Sequence, residues 1–267
     1  MPELMNDTAM LDKEQMDRRG WQLFPQIMQG EDLEKLRGEF ELMLARRSAD
    51  MQRNGILEKT AGTAHHLLER DNYFMHWLQQ LLLSPAYLCL NELLGGVSVL
   101  NSFGAVDNRP GQERYVSSVH RDVRTYTSDV RLMMQLLVML DDFTVDNGAT
   151  WILSGSHLSA QKPSDEEFFR QAEQVSGRAG QVLLFDSRCW HAAGANMTQF
   201  RRRALTLTLT RPFVKPQIDH CRLLGYDYCA ALSEPLQQLL GYFARIPASI
   251  DEWYQPPESR YYRSSQG

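Results

Sequence analysis

The chain has 267 residues, long enough to bury a core without disulfides as staples. Its 28 basic and 33 acidic residues leave a net charge of −5, which argues against a nucleic-acid partner. At 43% hydrophobic and 23% charged, with no apolar run near the ~18 residues of a membrane span and four cysteines lacking CxxC spacing, it reads as globular and not as membrane, knotted or disordered. The first residues are acidic where a secretory leader is basic, so the expected location is cytoplasmic.

In chain order, residues 1–96 read mainly as helix. Leu33, Leu36, Phe40, Met43 and Leu44 give Glu31–Arg47 one apolar face. Ser48–Arg70 is polar and aperiodic and reads as a long loop. A second stripe (Phe74, Trp77, Leu78, Leu81, Leu82) ends before Pro85, and a further short helix breaks at Gly95-Gly96. From residue 97 the grammar changes to short β-prone runs: Val97–Leu100, Tyr115–Val123, Val130–Leu140, Thr150–Leu153, Gln181–Phe185 and Ala204–Thr210. Asp146-Asn147-Gly148 and Ser154-Gly155-Ser156 are turn signals, and Pro163–Arg178 is a polar, partly helical excursion. Residues 214–267 return to helical patterns around Leu223–Leu240, then a Tyr- and Pro-rich tail. Strands this dense, without alternating long helices, predict a sandwich or barrel. We read one domain: a helical region over residues 1–96, a β core over 97–213, and a helical region with a tail over 214–267, the helices plating the sheets.

The chemistry begins at Val119-His120-Arg121-Asp122-Val123. In a strand, residues two apart share a face, so His120 and Asp122 project together. His191, after the strand ending at Phe185, supplies a third ligand. Two histidines and a carboxylate on a β scaffold form the facial triad of non-haem Fe(II) oxygenases, with positions left for a chelating cosubstrate and dioxygen. A lone His-x-Asp is weak, because it recurs by chance. The kinase reading of HRD fails, since Thr127 stands where that loop needs Asn and no Gly-rich loop precedes it. There is no HExxH.

The run Arg201–Thr210 alternates with period two: Ala204, Thr206, Thr208 and Thr210 on one face, Leu205, Leu207 and Leu209 on the other. Arg202 extends the threonine face and becomes a carboxylate clamp if that face lines a cavity. A bulge before Ala204 would swap it with Arg201 and Arg203, and a solvated basic turn is the usual fate of three arginines. Gln135 interrupts an apolar strand, and its buried amide needs a partner: a cosubstrate carboxylate or a backbone carbonyl. His157 reads as a structural histidine, His65 and His66 as residues of a solvated loop with closure over a substrate as the alternative, Cys189 as a small buried hydrophobe, and Arg124 and Tyr126 as continuing the parity of His120 and Asp122 toward the substrate side.

These elements together, Leu140-Asp141-Asp142-Phe143, Asp146–Thr150, Ser154–His157, Gly180–Asp186 and His191–Asn196, resemble the phytanoyl-CoA dioxygenase family of Fe(II)- and 2-oxoglutarate-dependent oxygenases. The resemblance covers roughly residues 97–213. It implies a mainly β protein with helical flanks: a double-stranded β-helix (jelly-roll, cupin-like) core plated by α-helices. It further implies that His120, Asp122 and His191 hold Fe(II), and that Arg202, eleven positions after His191, binds the distal carboxylate of 2-oxoglutarate. Gln135 and Thr150 match positions that help hold the cosubstrate in some relatives. Ser154 replaces the proline usual in the family's PGSH segment, a change expected to affect turn stiffness only. Halogenating relatives carry a small residue in place of the carboxylate ligand; Asp122 is retained, which implies oxidation. The implied reaction consumes O2 and 2-oxoglutarate, gives succinate and CO2, and hydroxylates a small organic substrate. Desaturation, epimerisation or rearrangement by the same chemistry are the alternatives, as are a non-catalytic metal-binding jelly roll and a zinc or manganese isomerase.

Overall fold

The structure, a computed structural model, describes residues 11–60, 62–111 and 115–266. The reading of residues 1–10 as lacking an export signal lies outside the described residues. In chain order the first elements are α1 (Lys13–Arg19), β1 (Trp21–Phe24), α2 (Gly30–Arg53), α3 (Leu57–Thr60), β2 (Thr63–His65), α4 (Tyr73–Leu81) and α5 (Pro85–Leu94). Next come β3 (Val99–Asn108), β4 (Met133–Met139), β5 (Thr150–Ile152), α6 (Asp165–Gln171), β6 (Glu173–Val175), β7 (Val182–Asp186), β8 (His191–Ala192) and β9 (Arg202–Thr210). Four short helices close the described chain: α7 (His220–Leu224), α8 (Tyr226–Ala230), α9 (Glu234–Leu239) and α10 (Ile250–Trp253).

The strands form a six-stranded antiparallel sheet, β1-β7-β4-β9-β3-β2, and a three-stranded sheet, β6-β5-β8. Period-two alternation assigns the two faces of the large sheet. Met134, Leu136 and Val138 of β4, Val182 and Leu184 of β7, and the three leucines of β9 join the core beneath the helices, against Leu36, Phe40, Trp77 and Leu81. The opposite residues, Leu137, Leu183, Phe185 and Ala204, pack toward Ile152 and Val175 of the small sheet. The expected helix-plated jelly roll is therefore the fold observed.

Several local expectations change. Tyr115–Val123 is not a strand: Tyr115–Ser117 is a 3-10 turn, and only His120 forms a β-bridge, to His191. Ser48–Arg70 is not one loop, because α2 runs on to Arg53 and is followed by α3 and β2. That polar extension is carried by ion pairs one turn apart, Arg47–Asp50 and Arg53–Asp50, rather than by an apolar stripe. The polar excursion 163–178 contains β6, and the helical pattern around Leu223–Leu240 is split into α7, α8 and α9, with a break at Gly225. The edge strands β1 and β2, three or four residues each, fall within the region read as helical.

The turn signals hold. Gly148 has φ +82°, and a Cβ there would lie 2.3 Å from the Gly194 carbonyl oxygen, so the Asp-Asn-Gly turn admits no larger residue. Ser154 does more than relax a turn. Its Oγ accepts from Trp21 Nε1 at 2.9 Å and donates to Glu173 at 2.6 Å, tying β1 to β6.

His220, buried at the start of α7, is pushed down to about 4 from the ordinary 6.5 by burial, with His66 adding to the effect. The unfolded chain then binds this proton first. Stability from this group is complete above pH 6.5 and is lost as the pH falls toward 4, by about 3 kcal/mol at most. Chemical denaturation between pH 7 and 4.5 should show this decline, and His220→Leu should flatten it; an unchanged slope in the variant would contradict the assignment.

Candidate metal centre and its cavity

The site is built where the small sheet meets the loop before β4. His120 N donates to His191 O at 3.0 Å and His191 N to His120 O at 2.8 Å, so one bridge holds both imidazoles side by side, ring centroids 4.3 Å apart. Asp122 N then donates to Ser187 O at 3.0 Å, which turns the carboxylate back toward them. Asp122 Oδ1 lies 4.0 Å from each Nε2. The ligand atoms of these three residues all fall within 4.8 Å, the one such group of His, Cys, Asp and Glu found among the described residues. The intervening Arg121 points away and stacks over Trp190 at 4.9 Å. The strand parity expected for His120 and Asp122 thus survives although the strand itself does not form.

The donor set fits a divalent metal. Each histidine is oriented through its other nitrogen: Nδ1 bonds Ser118 O at 2.8 Å in His120 and Cys189 O at 3.0 Å in His191. A carbonyl accepts only from N–H, so each Nε2 keeps its lone pair facing Asp122. Burial, and next the neighbouring His191, push His120 down to about 4, so it is neutral at pH 7. Asp122 Oδ2 is buried and has no hydrogen-bond donor among the described residues, an arrangement a cation relieves.

The triad opens into a cavity of about 380 Å³. Arg202, Gln135 and Thr150 line it together, each buried; Arg202 is 1% exposed, with its guanidinium 4.2 Å above the Phe143 ring. No bulge precedes Ala204. β9 pairs β3 without a shift from Arg202↔Asn108 to Thr208↔Ser102, which keeps Arg202 on the threonine face. Arg201 and Arg203 lie on the other side, paired with Glu41 and Asp107, and with Asp141 and Glu41. The Gln135 amide finds a partner neither expected alternative named: Thr208 Oγ1 donates to its Oε1 at 2.6 Å, leaving the NH2 as its donor end.

Other residues divide. Arg124 lines the cavity, but Tyr126 does not, its hydroxyl donating to Leu158 O at 3.1 Å. His157 is buried, bonds Asp17 O at 3.1 Å and stays outside the triad, as a structural histidine should. Cys189 is buried and contributes its carbonyl to His191. His65 and Gln217 also line the cavity; for His65 this is the alternative to a solvated loop, and nothing in the sequence marks Gln217. His65 is placed by the pairing His65↔Gly104, and its three-residue strand carries too few alternations to have been read.

A jelly roll whose cavity gathers two histidines, a carboxylate and a buried arginine defines a class of scaffold that could hold a metal, and comparison with known proteins narrows it. The model of the phytanoyl-CoA dioxygenase (PhyH) family matches residues 17–204, and the chain belongs to that family. It is similar to the protein Rv1501 of Mycobacterium tuberculosis, 38% identical over 153 residues, or 57% of this chain and 56% of that one. The chain thus aligns with little more than half the length of that relative. The dioxygenase FUM3 of Gibberella moniliformis is 27% identical over 218 residues, 79% of this chain and 67% of FUM3. In fold it is similar to EctD from S. alaskensis, solved with 2-oxoglutarate and 5-hydroxyectoine, at a TM-score of 0.59 and 18% identity over 78% of each chain.

Metal titration separates the ligating from the structural groups. Mn(II) binding followed by calorimetry should weaken in Asp122→Ala by more than the roughly 10–100-fold typical of an outer-shell loss. His157→Ala should lower stability and leave the affinity unchanged; equal weakening in both would dissolve the distinction.

Proposed function

We propose that the protein is an Fe(II)- and 2-oxoglutarate-dependent dioxygenase that hydroxylates a small organic molecule and releases succinate and CO2. The observation that carries this reading is one cavity holding the His120–Asp122–His191 triad and, at its most buried end, the Arg202 guanidinium. Bound Fe(II) and 2-oxoglutarate would supply the oxidising chemistry from O2.

The chain's own residues do the positioning. His120, Asp122 and His191 hold the metal on one side. Arg202 pairs the far carboxylate of the cosubstrate in a planar, two-pronged geometry. Gln135 of the large sheet offers its NH2 and Thr150 of the small sheet its hydroxyl to the same cavity. Leu137, Phe185 and Ala204 line the same cavity beside these polar groups and lower the local dielectric, which strengthens each charge interaction. Because Asp122 fills the third ligand position, none is vacated for a halide, and oxidation is the expected outcome. The same proposal takes residues 1–267 as one catalytic domain, since the core beneath α2, α4 and α5 is continuous with β4, β7 and β9.

Fe(II) and 2-oxoglutarate added without oxygen should give a visible charge-transfer band, absent in His191→Ala at unchanged near-UV circular dichroism. Arg202→Gln should retain Fe(II) yet raise the 2-oxoglutarate Kd by at least about 30-fold, as expected for truncating one partner of a buried charge pair. Oxygen-dependent succinate formation completes the test. A folded wild-type protein with no band would overturn the proposal.

A further inference from the structure

The cavity is graded from floor to mouth. Arg202, Thr150, Gln135 and Thr208 are between 1% and 7% exposed, His191 is 8% exposed, His120 and Asp122 are half-buried, and Arg124, His65 and Gln217 are exposed at the opening. Arg202 and Arg124 are the cations among the lining residues, one at each end. Their surroundings differ. The guanidinium of Arg202 is sequestered over Phe143, whereas Arg124 forms no hydrogen bond or ion pair with any described residue. Other arginines around the site are committed: Arg121 to Trp190, Arg188 to Asp186, and Arg131 to Asp17 and Asp186. Arg124 is near enough to the triad for its charge to act on His120.

The sum of charges gives this position a meaning. On the function proposed above, a divalent metal, the Asp122 carboxylate, a doubly charged cosubstrate and Arg202 sum to zero. The floor and the metal level are then neutral. Arg124 remains as a positive charge beside the space left for the molecule to be oxidised, in a chain whose net charge is −5. A cation held in a concave, partly apolar mouth attracts anions and is costly to cover with a neutral group.

Resting on that function, we infer that the molecule oxidised is a small organic anion, and that Arg124 selects it by pairing its carboxylate or phosphate at the cavity mouth. The volume of about 380 Å³, shared with the cosubstrate and near the lower end of small-molecule sites, keeps this substrate small. His65 and Gln217 complete the same rim with neutral polar groups; desolvation holds His65 below the ordinary histidine range.

The test uses the full chain with Fe(II) and saturating 2-oxoglutarate under nitrogen, the charge-transfer band being recorded first. A panel of small carboxylic acids and phosphate monoesters, each beside its neutral amide or parent alcohol, is then scored by thermal shift and calorimetry with the band intact. Wild type should be stabilised by acids or esters and not by their neutral partners. Arg124→Gln should weaken the best of them by about fivefold or more, the upper range for a half-exposed pair, and Arg124→Lys should recover part of it. Raised salt should weaken the wild type toward the Arg124→Gln value. An intact band with equal response to acids and neutral partners, with no response to either, or with acid preference surviving in Arg124→Gln would overturn the inference alone. A missing band in wild type overturns the underlying function and the inference with it.

Discussion

Two hydrogen bonds, His120 to His191 and back, hold the site together, and much of the structure exists to keep them in place. They join a short loop to a two-residue strand, neither of which would keep its shape alone. The loop is held by the turn Asp186–Trp190. Ser187 O accepts from Asp122 N and Val123 N, and Cys189 O fixes the His191 ring. That turn is in turn set by Asp186, 0% exposed, which accepts from Arg188 N and Nε and pairs with its Nη2 at 2.7 Å. A buried pair of this kind adds little net stability over an apolar substitute. What it contributes is geometry, because both its partners belong to the turn on which all three candidate ligands depend.

Strand parity supplies the second constraint. β4, β7 and β9 each send alternate residues to the helices and to the cavity, so a one-residue slip would exchange the two faces. The three consecutive arginines show how this is prevented. Arg203 is bidentate to Asp141, Arg201 is bound to Asp107 and Glu41, and both lie on the helix side. With its neighbours clamped outward, Arg202 has one direction left. The exposed portion of this network is screened by solvent and adds modestly to stability; its effect is to set the register.

The sequence was legible where a side chain's own pattern dictates the answer. The Thr/Leu alternation of 204–210 placed β9 and favoured Arg202, and Asp-Asn-Gly placed its turn. His-x-Asp with a later histidine named the triad. What could not be read depends on partners distant in sequence. β1, β2 and β6 have three or four residues each, too few for a period, and form because Phe185, Gly104 and Thr150 offer open backbone edges. Tyr115–Val123 has the composition of a strand, yet only His120 meets a partner. The roles of Ser154, which bonds Trp21, and of Gln135, which bonds Thr208, required the fold. The family resemblance carried the rest, since parity alone left a bulge before Ala204 and a solvated basic turn open for the three arginines.

The graded cavity also dictates an order of events on the proposed function. Arg202 is nearly sealed from solvent, whereas Arg124, His65 and Gln217, at the mouth of the same cavity, are exposed. A molecule seated at that mouth blocks the way to the floor. On that function the cosubstrate would enter first and the oxidised molecule second. The charges favour the same order. With a metal held by the triad, that metal and Arg202 would offer an anion more positive charge than Arg124 does; with the cosubstrate seated there, Arg124 would be the remaining attraction. An acidic protein with cations at both ends of one cavity can thus load two anions in sequence without confusing their seats.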